Sequence, residues 1–485
     1  MAAYIENILR KGPYLPDWDS LACHKTPEWF GLAKFGVFIH WGLYSLPAHG
    51  NEWYSRNMYI REKEEWNWHR KHYGPQDQFG YKDFIPLFTA EKFSAQEWVS
   101  LIKEAGARYI FPVAEHHDGF QLYKSKLSAW NSWTMGPKRD ILGEWKTAAE
   151  ENGLIFCTSS HRAEHWFFMG HGREFSSDIK EPMKRGDFYW PAQKEPDHQD
   201  LESCPFPTPE FVEDWIQRTI ELIENYQPAL LYFDWWVQHQ AFKEGLKKVA
   251  AYYYNRAAEW EKEVSICYKH DAMMFGSGIP EIERGSLKET TAFVWQTDTA
   301  VAKNSWCYTD SLEYKTANQI ICSLIQAVCK NGNLLLNVGP KGDGSIPEGD
   351  RKLLKEIGQW MKVNGEGIYG SRPWRIWGEG PTREVSGQFT DQEEITYTGK
   401  DIRFTAKGGS IYAFFLHYPE SGKAVIQSLA KTKTPDNATF HGLIEKVTIL
   451  GFNDQPKWHQ DFSGLHLWSD KVDSRLPVTV KVQMV

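Results

Sequence analysis

Polar and charged side chains that can do acid–base or hydrogen-bonding chemistry follow apolar runs at six places in this chain. The runs are KFGVFIHWG with His40, YIFPVAEHHDGF with His116, His117 and Asp118, LIFCTSSH with His161, ALLYFDWW with Asp234, SICYKHD with Lys269, His270 and Asp271, and IPEIERG with Glu283. Each run has the length and apolar content of a buried strand. Parallel strands that gather such residues at their carboxyl ends are typical of the catalytic face of a (β/α)-barrel.

Asp234 is the candidate nucleophile of this set. It ends an apolar strand beside Trp235, and an ionised aspartate on a rigid strand can attack an anomeric carbon. A structural aspartate that caps the next helix is an equally good interpretation of the position.

A second carboxyl group would have to donate a proton, which requires a pKa raised by burial or by a nearby like charge. Glu283 best fits a strand end, and Glu281 and Glu289 are the alternatives. A solvated ion pair of Glu283 with Arg284 is the competing structural interpretation.

The adjacent residues His116 and His117 stand at one predicted strand end and point in different directions, so one can reach a ligand while the other supports it. No HExxH motif accompanies them, which favours hydrogen bonding to substrate hydroxyls over metal ligation. A metal-dependent hydrolase that uses these two residues with His161 and Asp234 remains an alternative, and chelation would test it.

Composition limits the class of partner and the number of domains. The 485 residues exceed a usual single core and predict two domains. A net charge of -8 leaves no basic surface for nucleic acid or an anionic membrane. The start, MAAYIENILRKG, lacks the apolar core of a signal peptide. We therefore expect a soluble protein, cytoplasmic as written and periplasmic or secreted if a signal was removed.

Aromatic and cysteine usage adds two expectations. The chain contains 23 Trp, whose flat faces suit the C–H face of a sugar ring, although many must pack cores. Its seven cysteines include no CxxC spacing, which predicts free thiols rather than a zinc site or a disulfide framework.

The pattern of elements predicts a barrel followed by a sandwich. Strands alternate with helices from about residue 33 to 339, and the helix of SAQEWVSLIKEAG is capped by Ser94 and ended by Gly106. With FVWQTD and NLLLNVGP the strand count reaches eight. Beyond about residue 372, short alternating segments separated by turns indicate an antiparallel β-sandwich. We expect a (β/α)8-like TIM barrel over residues 1–370 and a sandwich over 371–485.

The segment 167–209 is rich in Gly, Pro and charged residues without a sustained period. Long irregular segments of this kind are usually functional lids or borders of a site. We expect the specificity of the site for its ligand to reside in such loops.

Several motifs together resemble the α-L-fucosidases of glycoside hydrolase family 29. They are KFGVFIHWGLYSLPAHGNEWY, FPVAEHHDGFQLYKSKLSAWNS, LLYFDWW, VWQTDTAVAKNSWCY and NGNLLLNVGPKGDGSIP, in order over about residues 29 to 370. The resemblance implies a retaining, exo-acting fucosidase with no cofactor and no metal, and with fucosylated oligosaccharides or glycoconjugates as partners. A homo-oligomer, a glycosidase for another sugar and a non-catalytic carbohydrate-binding barrel all remain open.

The resemblance also assigns roles. Asp234 would be the nucleophile and Glu283 the acid/base, because Gln296 stands where some members have a glutamate and an amide cannot exchange a proton as a carboxyl does. Lys269 replaces an arginine of other members. Trp235, Trp306 or Phe275 would cover the C5 methyl of fucose. The residues that match or fall near fucose-binding positions are His40, Glu52, Trp53, His116, His117, His161, Lys269 and Trp306.

Overall fold

The computed structural model of the chain describes residues 2–198, 201–391, 394–432, 440–453, 455–469 and 472–485. The larger part is a ring of parallel strands. These are β1 (Phe35–Ile39), β2 (Tyr109–Glu115), β3 (Ile155–Phe156), β4 (Thr158–Ser160), β5 (Leu230–Phe233), β6 (Ser265–Tyr268), β7 (Ile279–Glu283), β8 (Trp295–Ala300) and β9 (Gly332–Val338). Strand β1 pairs with β9 on one side and with β2 on the other, which closes the ring.

Strands β3 and β4 together occupy the third position of the ring, so the barrel has the eight strand positions that the sequence predicts. The sequence predicts a single strand at this position. The register of β2 against β4 shifts between Val113 and Glu115. The break at Cys157 precedes this shift, since β3 and the start of β4 keep the same register against β2. The prediction of an eight-stranded parallel barrel is confirmed.

Helices surround and connect the strands. They are α1 (Ala2–Lys11), α2 (Trp18–Leu21), α3 (Glu28–Ala33), α4 (Tyr54–Asn57), α5 (Glu64–His72), α6 (Ala95–Glu104), α7 (Ile141–Glu151), α8 (His165–Phe168), α9 (Pro209–Tyr226), α10 (Lys243–Glu259), α11 (Ala317–Cys329) and α12 (Glu348–Asn364). Residues 269–278 and 284–294, which join β6 to β7 and β7 to β8, are all described and contain no α-helix. The outer layer of helices is therefore incomplete beside β7.

Helix α6 begins and ends as its sequence predicts. The Ser94 hydroxyl oxygen accepts a hydrogen bond from the Glu97 backbone N–H, and Gly106 has a φ of 97° just beyond the helix. Trp98 and Ile102 are buried on the face toward the barrel. The helix is stabilised mainly by this apolar face, since a helix of 10 residues is marginal by itself.

The C-terminal part consists of antiparallel strands in two sheets. Its strands are β10 (Arg372–Glu379), β11 (Ile402–Lys407), β12 (Ser410–Phe415), β13 (Lys423–Ile426), β14 (Ile444–Ile449), β15 (Lys457–Gln460), β16 (Leu465–Trp468) and β17 (Val478–Met484). The sheet orders are β10-β11-β12-β17-β14 and β13-β16-β15. Residues of both sheets, such as Phe404 and Leu467, share one apolar core, as a sandwich requires. The boundary between residues 370 and 371 stays a prediction.

Two further observations concern the described residues only. No helix among them combines the length and the apolar character that crossing a bilayer requires. All seven cysteines are free thiols, of which Cys23 and Cys204 are exposed and the others buried.

Candidate active site

A cavity of about 320 Å³ opens at the carboxyl ends of the barrel strands. This volume lies at the lower end of the range of small-molecule sites, roughly 300–1,000 Å³, and suits a small ligand. The structure brings together in its walls most of the candidate site residues, namely His40, Glu52, Trp53, His116, His117, His161, Asp234, Trp235, Lys269, Glu283 and Trp306.

Asp234 follows β5, and basic groups surround its carboxylate. Lys269 Nζ lies 3.0 Å from Oδ1, and His161 Nδ1 lies 2.8 Å from Oδ2. Burial alone raises the pKa of this carboxyl, but Lys269 and His161 together lower it more, so the pKa lies well below its usual range. Asp234 is therefore ionised at neutral pH, which is the state that a nucleophile requires.

Glu283 is the last residue of β7, and two donors hold one of its oxygens. Lys269 Nζ donates to Oε2 at 2.6 Å, and Trp235 Nε1 donates to the same atom at 2.7 Å. This leaves Oε1 as the oxygen that can carry a proton toward a ligand.

Lys269 joins the two carboxylates. Burial lowers the pKa of its ammonium group, but Asp234 and Glu283 raise it more, and the net pKa lies well above its usual value. The contacts of 3.0 Å to Asp234 Oδ1 and 2.6 Å to Glu283 Oε2 limit the separation of these two oxygens to the sum of the contact lengths. That limit, about 5.6 Å, agrees with the roughly 5 to 5.5 Å of retaining glycosidases and falls below the roughly 6.5 to 9.5 Å of inverting ones.

Pocket histidines serve as neutral hydrogen-bonding groups. His40 Nδ1 lies 2.6 Å from Asn337 Oδ1, and His117 Nδ1 lies 2.9 Å from the backbone oxygen of His161. Because these oxygens only accept, we assign the proton to each Nδ1, which makes each Nε2 an acceptor. Burial lowers the pKa of His117 to about 3, and it lowers the pKa values of His40 and His116 well below their usual range. The neutral rings can accept hydrogen bonds from ligand hydroxyls.

The histidines also bear on the metal alternative. Two sets of side chains have ligand atoms within 4.8 Å of one another, namely His40 with His116 and His161, and His117 with His161 and Asp234. His161 belongs to both sets, and its two ring nitrogens already have partners, because Nδ1 contacts Asp234 and Nε2 lies 3.0 Å from Ser159 Oγ. The geometry therefore favours hydrogen bonding over metal ligation.

Another part of the cavity wall contains Glu52, Trp53 and Trp306. Glu52 Oε2 accepts the backbone N–H of Trp306 at 3.0 Å, and burial raises the pKa of this carboxyl. The Arg56 guanidinium lies 5.4 Å from the ring centroid of Trp53 and is held by Glu195. Glu195 belongs to the segment 167–209, so this predicted border segment contacts the cavity wall through Arg56 and Trp53.

The structure adds five lining residues that the sequence prediction missed, namely Phe38, Glu164, Tyr232, Asp298 and Phe389. Phe38 and Tyr232 stand two residues before His40 and Asp234, so the alternation of strand side chains could have identified them. Phe389 belongs to the segment after β10 and carries no pattern that points to the barrel.

Three sequence expectations fall outside the cavity. Phe275 is 61% exposed and packs on Phe293, so the suggestion that it covers a methyl group is wrong. Glu281 lies inside the barrel and accepts a hydrogen bond from Gln296 at 2.8 Å. Glu289 accepts a hydrogen bond from Trp377 Nε1 at 2.9 Å and does not line the cavity.

A buried ion network fixes two of the strand ends that form the cavity. Glu115, the last residue of β2, and Asp214 of α9 accept hydrogen bonds from Arg162 at 2.6 Å and 2.7 Å, and Arg218 contacts both acids. Glu115 immediately precedes His116, and Arg162 immediately follows His161. The network therefore holds the backbone that carries the histidines.

We expect the change Arg162→Met to lower the free energy of unfolding by at least about 3 kcal/mol, because it removes one of the two buried cations that Glu115 and Asp214 share. Urea unfolding followed by tryptophan fluorescence measures the effect. Arg185→Met is the matched control, since Arg185 also contacts Asp214 but its side chain is 39% exposed, and we expect a loss below about 1 kcal/mol. Equal losses in the two variants would contradict this account of the network.

Comparisons with known proteins agree with the site. The chain matches the family profile "Alpha-L-fucosidase" over residues 1–366 and the profile "Alpha-L-fucosidase C-terminal domain" over residues 392–481. It is 30% identical over 466 residues to the tissue alpha-L-fucosidase of Homo sapiens, which covers 94% of this chain and 88% of the human protein. The plasma alpha-L-fucosidase of Homo sapiens is also 30% identical, over 459 residues, with 91% of this chain and 85% of that protein covered.

A solved structure extends the likeness to the fold. The alpha-fucosidase of Thermotoga maritima in complex with fucose superposes with a TM-score of 0.74 at 30% sequence identity, and the alignment covers 97% of this chain and 100% of that chain. The same protein in complex with a mechanism-based inhibitor gives a TM-score of 0.75 at 29% identity, with coverage of 97% and 99%. On the match of its barrel to the family profile and of its full length to these relatives, the chain belongs to the α-L-fucosidase family.

Proposed function

We propose that this chain is a retaining, exo-acting α-L-fucosidase that releases terminal α-L-fucose from glycans or glycoconjugates. The observation that carries the proposal is the position of Lys269 between Asp234 and Glu283, which keeps the two carboxylates close enough for retention. The family supports fucose as the sugar, and the Thermotoga maritima relative has fucose bound in its structure.

In the first step, an Asp234 oxygen attacks C1 of the fucoside while the bond between C1 and the glycosidic oxygen breaks. Glu283 transfers the proton from Oε1 to the departing oxygen and becomes a carboxylate. Lys269, which donates to both groups, stabilises the negative charge as it moves from Asp234 to Glu283. The products are a covalent fucosyl–Asp234 ester and the free leaving group.

In the second step, Glu283 accepts a proton from water, and the oxygen of that water attacks C1. The C1–Asp234 bond breaks, so fucose leaves with its original anomeric configuration and both carboxyl groups return to their starting states. The pKa of Asp234, held well below its usual range, makes this residue a good leaving group.

Recognition of fucose follows from the two walls of the cavity. The Nε2 acceptors of His40 and His117 and the carboxylate of Glu52 suit the sugar hydroxyls, whereas the apolar C5 methyl group needs an apolar surface. Phe38 and Trp306, with ring centroids 6.5 Å apart, provide one. Trp235 lies beside the proposed acid/base, to which its indole N–H is bonded.

The test compares 4-nitrophenyl α-L-fucoside with 4-nitrophenyl α-L-galactoside, two substrates that differ only by a hydroxyl on C6. We expect kcat/KM to be at least about ten-fold higher for the fucoside, because the apolar surface leaves the extra hydroxyl without a partner. Equal or faster cleavage of the galactoside would contradict fucose specificity. Absence of cleavage of both would contradict the enzymatic proposal.

A further inference from the structure

We propose that Phe389 and Trp235 form a binding platform for the leaving group, the part of the substrate beyond fucose. The proposal rests on the proposed function and deepens it, because it names the chemistry of the group that this site accepts. The expected occupant is a leaving group with a flat apolar face, such as the C–H face of a hexopyranose.

The position of Glu283 determines the side of the cavity on which the leaving group lies. A general acid must be within hydrogen-bonding distance of the oxygen that departs. Groups that flank Glu283 therefore flank the leaving group as well. Trp235 contacts the Glu283 side chain through its indole N–H at 2.7 Å, and Phe389 donates its backbone N–H to the Glu283 carbonyl oxygen at 2.9 Å.

Phe389 reaches this position on a strap, defined here as residues 387–391, which runs beside the end of β7. Gly387 pairs with Ser286 in both directions through backbone hydrogen bonds of 2.8 Å and 3.2 Å, and Thr390 donates to the Arg284 carbonyl oxygen at 2.8 Å. The strap occupies the side of the barrel where the connections of β7 lack helices. A segment that follows the first strand of the C-terminal sheets thus completes the wall of the barrel site.

Phe389 combines a strained backbone conformation with an exposed side chain. Its φ of 57° lies in the left-handed region, which is strained for an aromatic residue, and its side chain is nonetheless 49% exposed and lines the cavity. Strained conformations that neighbouring contacts maintain are concentrated at ligand sites. Trp236, His270 and Arg284, each of which directly follows a cavity-lining residue in the sequence, also have positive φ values.

A second anchor lies at the end of the strap. The Asp391 carboxylate accepts hydrogen bonds from Lys315 and Thr299 and lies 3.7 Å from Arg284. The Arg284 guanidinium in turn lies 4.6 Å from the ring centroid of Trp306, which also lines the cavity. The strap is therefore fixed by hydrogen bonds from the barrel backbone and by contacts with barrel side chains.

The two rings lie close to parallel and leave no slot between them. Their centroids are 6.0 Å apart and their planes differ by 24°. A third ring between them would need about 7 Å, since carbon atoms in contact are about 3.5 Å apart on each side. A sugar or aryl ring must therefore lie across the exposed surface of the pair, as sugar rings do on aromatic plates.

The test uses Phe389→Ala and three substrates: 4-nitrophenyl α-L-fucoside, the fucosylated disaccharide that the wild type cleaves fastest, and α-L-fucosyl fluoride. Fluoride is a single atom and cannot reach the platform. We expect the ratio of kcat/KM for the disaccharide to kcat/KM for the fluoride to fall about ten-fold in the variant. The aryl fucoside should show a fall of similar size, and Phe389→Trp should restore both ratios to within about three-fold of the wild type.

Phe275→Ala is the matched control, because it also removes an exposed phenylalanine but lies outside the cavity, and both ratios should stay at the wild-type values. A ratio that changes less than about two-fold in Phe389→Ala, in an enzyme active on all three substrates, would overturn the platform. An equal loss in Phe275→Ala would overturn it too. A wild type that cleaves none of the substrates would instead contradict the proposed function, so the two failures are distinguishable.

Discussion

The change Asp234→Ala is expected to lower kcat/KM for 4-nitrophenyl α-L-fucoside by at least about 10⁴-fold, because it removes the group that forms the covalent bond. Lys269 remains in the cavity with its positive charge, and His161 keeps its hydrogen-bonding capacity. The cavity that replaces the carboxylate can admit a small anion beside Lys269.

Azide provides the diagnostic result for this variant. Azide can occupy the space of the Asp234 carboxylate and attack C1 from the same face. Because only one displacement takes place, the product is β-L-fucosyl azide with inverted configuration. Proton NMR of the product identifies the anomer. An α-configured azide, or activity within about ten-fold of the wild type, would contradict the role of Asp234 as nucleophile.

The change Glu283→Ala is expected to lower kcat/KM by about 10²- to 10⁴-fold for a fucosylated disaccharide, whose leaving group needs a proton. The loss should be much smaller for α-L-fucosyl fluoride, since fluoride departs without general acid. Comparison of the two substrates therefore separates loss of a proton donor from loss of folding. Added azide should accelerate the variant and give α-L-fucosyl azide, because azide attacks the fucosyl–Asp234 ester.

Glu281→Gln is the matched control for Glu283→Ala. Glu281 lies two residues earlier on the same strand, but it is bonded to Gln296 inside the barrel and does not line the cavity. We expect its kcat/KM to stay within about ten-fold of the wild type for both substrates. If Glu281→Gln shows the larger loss and the azide response, the acid/base is Glu281 and the assignment of Glu283 is wrong.

The strand ends of the site were predictable because a parallel barrel places them at one face. His40, His161 and Asp234 each follow a run of buried residues, and the geometry of the fold alone brings them together. Lys269 illustrates what the sequence does not contain. Its position at the end of β6 was predictable, but its simultaneous contact with two carboxylates depends on the register between neighbouring strands.

Residues outside the strand pattern were not predictable. Phe389 reaches the cavity through backbone pairing of the strap with Arg284 and Ser286, and no local pattern encodes a contact between such distant segments. Phe275 shows the opposite error, since an aromatic residue soon after a strand-end motif suggested the cavity although its loop carries it to Phe293. Glu164 was missed because it lies in a short turn after His161, where no apolar run marks its position.

A lysine rather than an arginine at position 269 has a physical consequence. A guanidinium can bind two carboxylates through separate N–H groups, whereas an ammonium acts as a point charge with three rotatable donors. Here that single charge lies within 3.8 Å of Asp298 as well as contacting Asp234 and Glu283. The pKa of Asp298 is raised to about 7, chiefly by burial and with a contribution from Glu283, so Asp298 is largely protonated below pH 7. The positive charge of Lys269 then interacts mainly with the carboxyl groups of Asp234 and Glu283.

The measurement that tests the central claim most directly is mass spectrometry of the enzyme after incubation with 2-deoxy-2-fluoro-α-L-fucosyl fluoride. With this reagent the glycosyl-enzyme forms faster than the glycosyl-enzyme is hydrolysed, so the glycosyl-enzyme accumulates. The account predicts one covalently bound fluorofucosyl group per chain, located by peptide fragmentation on Asp234 and absent from the Asp234→Asn variant. A label on Asp298, Glu283 or Glu164, or turnover that inverts the anomeric configuration without any labelled enzyme, would contradict the proposed mechanism.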